Sequence, residues 1–224
     1  MGGMQRHLMQ GQNIGKGSQC EYIETDGACV VDLDVANDYI EGRNIVCEFY
    51  SIAYSATHVF LAGGSYSKYG YLIYKYKASG LFPYYCIGAD APISQVKAET
   101  HRYQIAQTLS ATARVYNVSI TESASPIVVV KQRELDSTDW STISLSSTDS
   151  AKGYTGNTIQ VFGYATDSGS AGLCPSGTRC YSIEIDGNDY LPWYLDGEYG
   201  LMRQDTGEFF GKSYGTGTLT GVIL

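Results

Sequence analysis

A chain of 224 residues with 26 Gly, 20 Tyr and a formal charge of −8 is long enough to bury a substantial core and falls in the range of one all-β sandwich or barrel. Its 15 Lys and Arg are scattered singly among 23 acids, which excludes nucleic acid as a partner, because phosphate recognition needs clustered cations. No apolar run approaches the roughly 20 residues that span a bilayer, and no hydrophobic signal-peptide core opens the chain, so the expectation is a protein without a membrane, made in the cytoplasm.

Residues 1 to 19, MGGMQRHLMQGQNIGKGSQ, are rich in Gly, Gln and Met and show no strand alternation. Such a segment cannot bury enough surface to order itself. It reads as an N-terminal arm whose spaced apolar residues Met4, Leu8, Met9 and Ile14 dock on a partner chain, ahead of a domain over residues 20 to 224.

The domain opens at Glu21 and runs into apolar alternation from Ala28 to Val35 and from Asn44 to Ile52. Asp32, Asp34 and Asp38 have the look of a calcium loop, but the central Gly of an EF-hand is missing, and the expectation is no metal. Further strands are expected at Thr57 to Leu61, Tyr71 to Tyr76, His101 to Gln107, Ala113 to Ile120, Ile127 to Lys131 and Thr158 to Tyr164, with Gly63-Gly64, Ser79-Gly80 and Asp167 to Gly172 as loops. Asp136 to Ser150 is a polar connection with room for one short strand through Trp140 and Ile143. No dozen-residue window carries a 3.6-residue apolar stripe, so the expected fold class is all-β.

Cys20, Cys29, Cys47, Cys86, Cys174 and Cys180 include no C-x-x-C pair and no His at finger spacing, so zinc is not expected. They read as small buried apolar residues; were a bridge present, Cys174 and Cys180 would be its partners, across a loop containing Gly and Pro. No cofactor is implied by any motif.

The last stretch, RCYSIEIDGNDYLPWYLDGEYGLMRQDTGEFFGKSYGTGTLTG from Arg179 to Gly221, is the most ordered in pattern. Cys180 to Ile185 alternates, Asp186-Gly187-Asn188 is a hairpin signal, and Asp196-Gly197 and Asp205-Thr206-Gly207 repeat it. Between the turns lie segments too short for helices and rich in aromatic and aliphatic residues. The stretch predicts a meander of antiparallel strands.

The two ends of the domain resemble a known family. Tyr22 to Asp32, YIETDGACVVD, is similar to the opening of concanavalin A-like (laminin G-like) jelly-roll domains found in phage and prophage structural proteins. Tyr181 to Asp186, Tyr190-Leu191-Pro192-Trp193, Gly200 to Phe210 and Gly215-Thr216-Gly217 are similar to their closing strands. Asp26, Ala28 and Cys29 depart from that pattern, and the middle of the chain follows it only in alternation. The resemblance implies a two-sheet antiparallel jelly-roll sandwich, with the first strand joined to the last few.

That fold hosts enzymes and passive parts alike. Glu184-Ile185-Asp186 is similar to the start of a β-glucanase carboxylate run, but the third acid is missing and Asp186-Gly187-Asn188 makes a better turn than a strand, so no catalytic residue is expected. His7 lies in the arm, and His58 and His101 lie in expected strands, which does not suit a Ser-His-Asp arrangement. The Asn117-Val118-Ser119 sequon has meaning only in a eukaryotic secretory pathway. The middle holds Tyr66, Tyr69, Tyr71, Tyr74, Tyr76, Tyr84 and Tyr85; alternate ones such as Tyr74 and Tyr76 suit the sandwich interior, whereas Tyr66, Tyr69, Tyr84 and Tyr85 are the candidates for carbohydrate contact. The resulting expectation is a non-enzymatic virion protein of a tailed phage, a head decoration, head fibre or tail appendage. Its partners would be other capsid or tail proteins in an oligomeric assembly, with host glycan as a further contact. The alternative is a lectin-like module of a gut bacterium.

Overall fold

The computed structural model describes residues 17–36, 44–50, 58–63, 72–77, 81–87, 101–104, 114–120, 128–134, 137–143, 158–166, 169–171 and 174–224; side chains are described at 17–36, 44–50, 131, 133–134, 137–140, 158–163 and 174–224. Among the described residues every regular element is a strand: β1 (Gly17–Thr25), β2 (Cys29–Ala36), β3 (Asn44–Tyr50), β4 (His58–Gly63), β5 (Leu72–Lys77), β6 (Leu81–Ile87), β7 (His101–Gln104), β8 (Arg114–Ile120), β9 (Val128–Glu134), β10 (Ser141–Ile143), β11 (Thr158–Val161), β12 (Tyr164–Thr166), β13 (Gly169–Ala171), β14 (Thr178–Ile185), β15 (Asn188–Leu195), β16 (Glu198–Arg203), β17 (Phe209–Phe210), β18 (Tyr214–Gly215) and β19 (Leu219–Ile223).

The larger sheet runs β10-β9-β8-β3-β14-β1-β15-β16-β17, with β19 on β1; the smaller runs β18-β2-β11-β4-β5-β6-β7, and β12 and β13 form a separate ribbon. All pairings are antiparallel, and the two main sheets make the jelly-roll sandwich. Their inward faces meet in one core. Ile23, Ile45, Cys47, Phe49, Cys180 and Ile183 from the larger sheet, and Val31, Leu33, Ile159 and Val161 from the smaller, are at most 1% exposed except Phe49 at 2%. Phe49 and Phe162 pack edge to face across the core, ring centres 6.3 Å apart, the geometry that aromatic quadrupoles favour.

The first strand sits among the last ones. Ile23, Glu24 and Thr25 of β1 pair with Cys180, Arg179 and Thr178 of β14, while Gly17, Ser18 and Gln19 pair with Leu195, Tyr194 and Trp193 of β15. The hairpin β14–β15 is itself zipped only near its tip, from Ile183↔Tyr190 to Ile185↔Asn188. β1 therefore enters the fork where that hairpin opens. Its other edge takes β19, from Cys20↔Ile223 to Thr25↔Leu219. This is the joining of first and last strands that the resemblance implies.

The hairpin signals do what their chemistry requires. Asp186 and Gly187 have φ of 52° and 83°, and Asp196 and Gly197 have 50° and 95°, the double positive φ of the two-residue turn whose twist matches the strands it joins. Register shifts occur side by side at Cys20/Ile23 in β1 and Cys180/Ser182 in β14. Cys20 and Ile23, like Cys180 and Ile183, lie three residues apart and are all fully buried, which period-two alternation forbids and one extra residue in each strand permits.

Several expectations differ in detail. The sheet begins at Gly17, so residues 17 to 19 of the expected arm belong to the fold. They alternate poorly in sequence, and what orders them is the edge of β15. The expected strand from Thr158 to Tyr164 is broken into β11 and β12 by Phe162, with φ of 68°, and Gly163. Part of the expected loop from Asp167 to Gly172 pairs as β13. β6 is an additional strand; it carries Pro83, which lacks a ladder donor and weakens the strand signal. The expected short strand through Trp140 and Ile143 is β10, which pairs with β9 but begins at Ser141, leaving Trp140 just ahead of it.

Candidate functional site

The outward face of the larger sheet at β3, β14 and β1 gathers polar and aromatic side chains from three distant segments. In β3 the buried set is Ile45, Cys47 and Phe49, so Asn44, Val46, Glu48 and Tyr50 face outward. In β1, Ile23 and Thr25 face the core, leaving Tyr22 and Glu24 outside. Register then aligns a row across the strands: Thr220 and Arg179 flank Glu24, and Tyr50 lies opposite Arg179.

Arg179 is the centre of this row. Its Nε donates to Glu24 Oε2 at 2.7 Å, with the side chains 37% and 27% exposed. Its guanidinium lies 4.3 Å from the centre of the Tyr22 ring and 5.7 Å from that of Tyr50, within cation–π range. Tyr22 and Tyr181 meet edge to face at 5.7 Å. The bond to Glu24, outweighing partial burial and aided by Tyr181, keeps the guanidinium charged far beyond the ordinary range, whereas burial pushes the Tyr181 phenol up. Tyr181 shares this face because the bulge in β14 leaves both Tyr181 and Ser182 half-buried.

Beside the row, Glu48 accepts from Arg133 Nη2 at 3.2 Å, the two side chains 13% and 6% exposed. Arg133 also donates to Ser137 O at 2.9 Å and lies 5.0 Å from the centre of the Trp140 ring. That pair ties the β9–β10 edge to β3. Further along β14, Glu184 stands directly opposite Asp189. Burial raises the Glu184 carboxyl above its usual range and the Asp189 charge adds to the rise; burial likewise raises Asp189.

Asp186 is not a strand partner of Glu184. Its carboxylate accepts the Asn44 N–H at 2.8 Å and its own N–H donates to Asn44 O at 2.8 Å, so it caps the turn rather than facing a substrate cleft. Asp32 is also committed internally. Oδ2 accepts from Thr158 Oγ1 at 2.7 Å and Gln160 Nε2 at 3.0 Å, and Oδ1 accepts the Asp34 N–H at 3.0 Å. Asp38 lies outside the described residues. Among those residues no group of three His, Cys, Asp or Glu could hold a metal ion.

Asp26, one of the departures from the family pattern, joins the two ends of the domain. Oδ1 accepts the Ala28 N–H at 3.0 Å, and Oδ2 accepts the Thr218 N–H at 2.7 Å and its hydroxyl at 3.2 Å. Gly217 N–H donates to Ala28 O at 2.9 Å and Lys212 Nζ to Gly217 O at 2.9 Å. The glycines of the Gly215-Thr216-Gly217 motif are required by this closeness: Gly215 has φ of 93°, and a Cβ there would collide with the Ala28 carbonyl. Cys20, Cys29, Cys47, Cys174 and Cys180 are free and buried, so Cys174 and Cys180 are not bridged. Burial pushes the thiols of Cys20, Cys29, Cys47 and Cys180 up, which makes them packing residues rather than nucleophiles.

Of the sites expected from sequence, Met4, Leu8, Met9, Ile14, Tyr66 and Tyr69 lie outside the described residues. Tyr84 and Tyr85 lie in β6, whose side chains are outside the described ones. The Arg179 row carries no sequence motif; the only local signal for it is the strand spacing of Tyr22 with Glu24.

No protein-family profile matches the chain, and no curated protein matches it by sequence. Among solved structures it is similar to the native heptameric SAP-like pentraxin from Limulus polyphemus, at 8% identity and a TM-score of 0.47, over 78% of this chain and 77% of that one. This is a coarse likeness, and the jelly-roll assignment stands on the strand pairings of the chain itself.

Proposed function

We propose that the chain is a non-enzymatic structural protein of a tailed-phage virion, a head decoration, head fibre or tail appendage, anchored through the residues ahead of β1 and presenting the sandwich outward. The observation that carries this reading is the unit built by its two ends. The segments that resemble phage and prophage jelly-roll domains, Tyr22 to Asp32 and Tyr181 to Gly217, form adjoining strands held by Asp26 and by the Gly217–Ala28 backbone bond. Motifs nearly two hundred residues apart in sequence share one packed unit, as a common architecture requires. The non-enzymatic part is supported by Asp186, whose carboxylate is spent on the turn, whereas a retaining glycosidase needs two carboxylates held across the bond.

Role follows from such a fold by analogy, so the test is location. Antibodies raised against the purified chain are applied to lysates of its source and imaged by electron microscopy. Regular labelling of phage heads or tails is expected; labelling confined to bacterial envelopes would overturn the reading in favour of a lectin-like bacterial module.

A further inference from the structure

One sheet edge in this fold lacks the guards that edges normally carry. We infer that β19 is the docking edge for residues 1 to 16 of a second copy of this chain, which add to it as an extended antiparallel strand. This rests on the proposed docking role of the residues ahead of β1 and names the surface they occupy.

Among the described residues β19 pairs with β1 alone, so the N–H and C=O groups along its other side meet no strand there. Leu219 to Leu224, LTGVIL, has no charge and no Pro, and Val222, Ile223 and Leu224 are 44%, 46% and 65% exposed. The other edges are guarded. β17 and β18 are two residues long and β10 three, while β7 carries His101 and Arg102; shortness and charge are ordinary defences against unwanted pairing. β19, with five residues and no charge, has neither.

Residues 1 to 16 suit this edge in charge, in chemistry and in length. They carry Arg6, His7 and Lys16 but no acid, and all 23 Asp and Glu of the chain lie beyond them. Two domains of that charge repel each other, whereas the segment is drawn to the domain of its neighbour. It contains no Pro, so each residue can donate to a ladder. Strand addition takes its affinity from the main chain, without needing the side-chain alternation that this segment lacks. Met4, Leu8, Met9 and Ile14 supply apolar partners for Val222, Ile223 and Leu224. Extended, such a segment reaches about 50 Å, roughly three times the length of a five-residue strand.

Strand direction assigns the segment to a neighbour rather than to its own domain. β1 and β19 are antiparallel, and the Leu224 N–H donates to Gln19 O, so the end of β19 lies beside the start of β1. A segment lying on its own β19 and then crossing that end to enter β1 at Gly17 runs parallel to β19. Parallel pairing is the weaker kind per residue, and every pairing in this fold is antiparallel. A segment from a second copy has no such constraint.

Sedimentation velocity and light scattering test this. The full chain at about 100 µM should have the mass of two or more copies, through reciprocal exchange in a closed pair or one-way exchange around a ring. A chain starting at Gly17 keeps β1 whole but lacks the segment; Val222→Lys in the full chain puts a cation on the edge. Each should stay single, with association weakened about tenfold or more. Mixed, the two should form a one-to-one complex, because one retains the segment and the other the edge. Both are first required to melt within a few degrees of the parent at low micromolar concentration, where the copies are apart. A full chain that stays single, a Gly17 chain that still associates, or a mixture that does not combine would overturn the inference. The first result points to docking within the chain or on another protein, and the second to pairing of β19 with β19. Self-association without phage labelling removes only the virion role; phage labelling of a protein that does not self-associate removes only this inference.

Discussion

Replacing Asp26 tests whether the two ends of the domain are joined as described. In Asp26→Ala the N–H groups of Ala28 and Thr218 and the Thr218 hydroxyl lose the acceptor that lies 3.0, 2.7 and 3.2 Å away. Bonds to a charged acceptor are the stronger kind, but Asp26 is exposed and water replaces part of what is lost, so the cost should resemble that of removing a helix cap, about 1 kcal/mol. For a chain of this size that corresponds to about 2–4 °C in Tm. The loss should depend on pH. Burial alone would raise the Asp26 carboxyl, but the bonds from Thr218 and Ala28 and the charge of Lys212 outweigh it and hold the group below its usual range. Folding therefore favours the ionised form, and the contribution is complete above the unfolded value of about 3.9 and fades as pH falls through the lower folded value. Differential scanning calorimetry at pH 7 and pH 3 measures both quantities. A variant as stable as the parent at pH 7, or a difference undiminished at pH 3, would refute the reasoning.

The Glu184–Asp189 pair has the opposite sign. Both carboxyls are raised by burial, Glu184 also by its neighbour, so the folded state holds their protons more tightly and is penalised once pH rises through their folded values. Asp189→Asn should raise Tm at pH 7 and lose that advantage below pH about 4; a lower Tm at pH 7 would count against it. Cys20, Cys29, Cys47, Cys174 and Cys180 should resist a thiol reagent in the native protein and react in denaturant without reductant, and a stoichiometric shortfall of two thiols would contradict the free state observed. A chain starting at Gly17 should melt like the parent, whereas one starting at Cys20 loses the pairs of Gly17, Ser18 and Gln19 with β15 and the Gln19 acceptor of the Leu224 N–H, at a cost of about 2 kcal/mol in chemical denaturation. Equal stability of the two would mean that β1 begins later.

How far the chain could be read in advance follows from the range of each signal. Asp186-Gly187 and Asp196-Gly197 were legible because a two-residue turn with positive φ is a local demand that few residue pairs meet. The alternation of Asn44 to Tyr50 and of Cys180 to Ile185 was legible because a half-buried strand repeats every two residues. Those signals determined the all-β class, the C-terminal meander and the burial of Cys47 and Cys180. Register, by contrast, is a relation between strands. The bulges that put Cys20 with Ile23 and Cys180 with Ile183 in the core, the fork that orders Gly17 to Gln19, and the Asp26–Thr218 bonds all depend on which edge meets which. The Glu24–Arg179 pair joins residues 155 positions apart, and no local period marks either as a partner of the other. The sequence alone determined which residues could face water; only the packed sheets decided which of them face it together, because side-chain direction is local and neighbourhood is not.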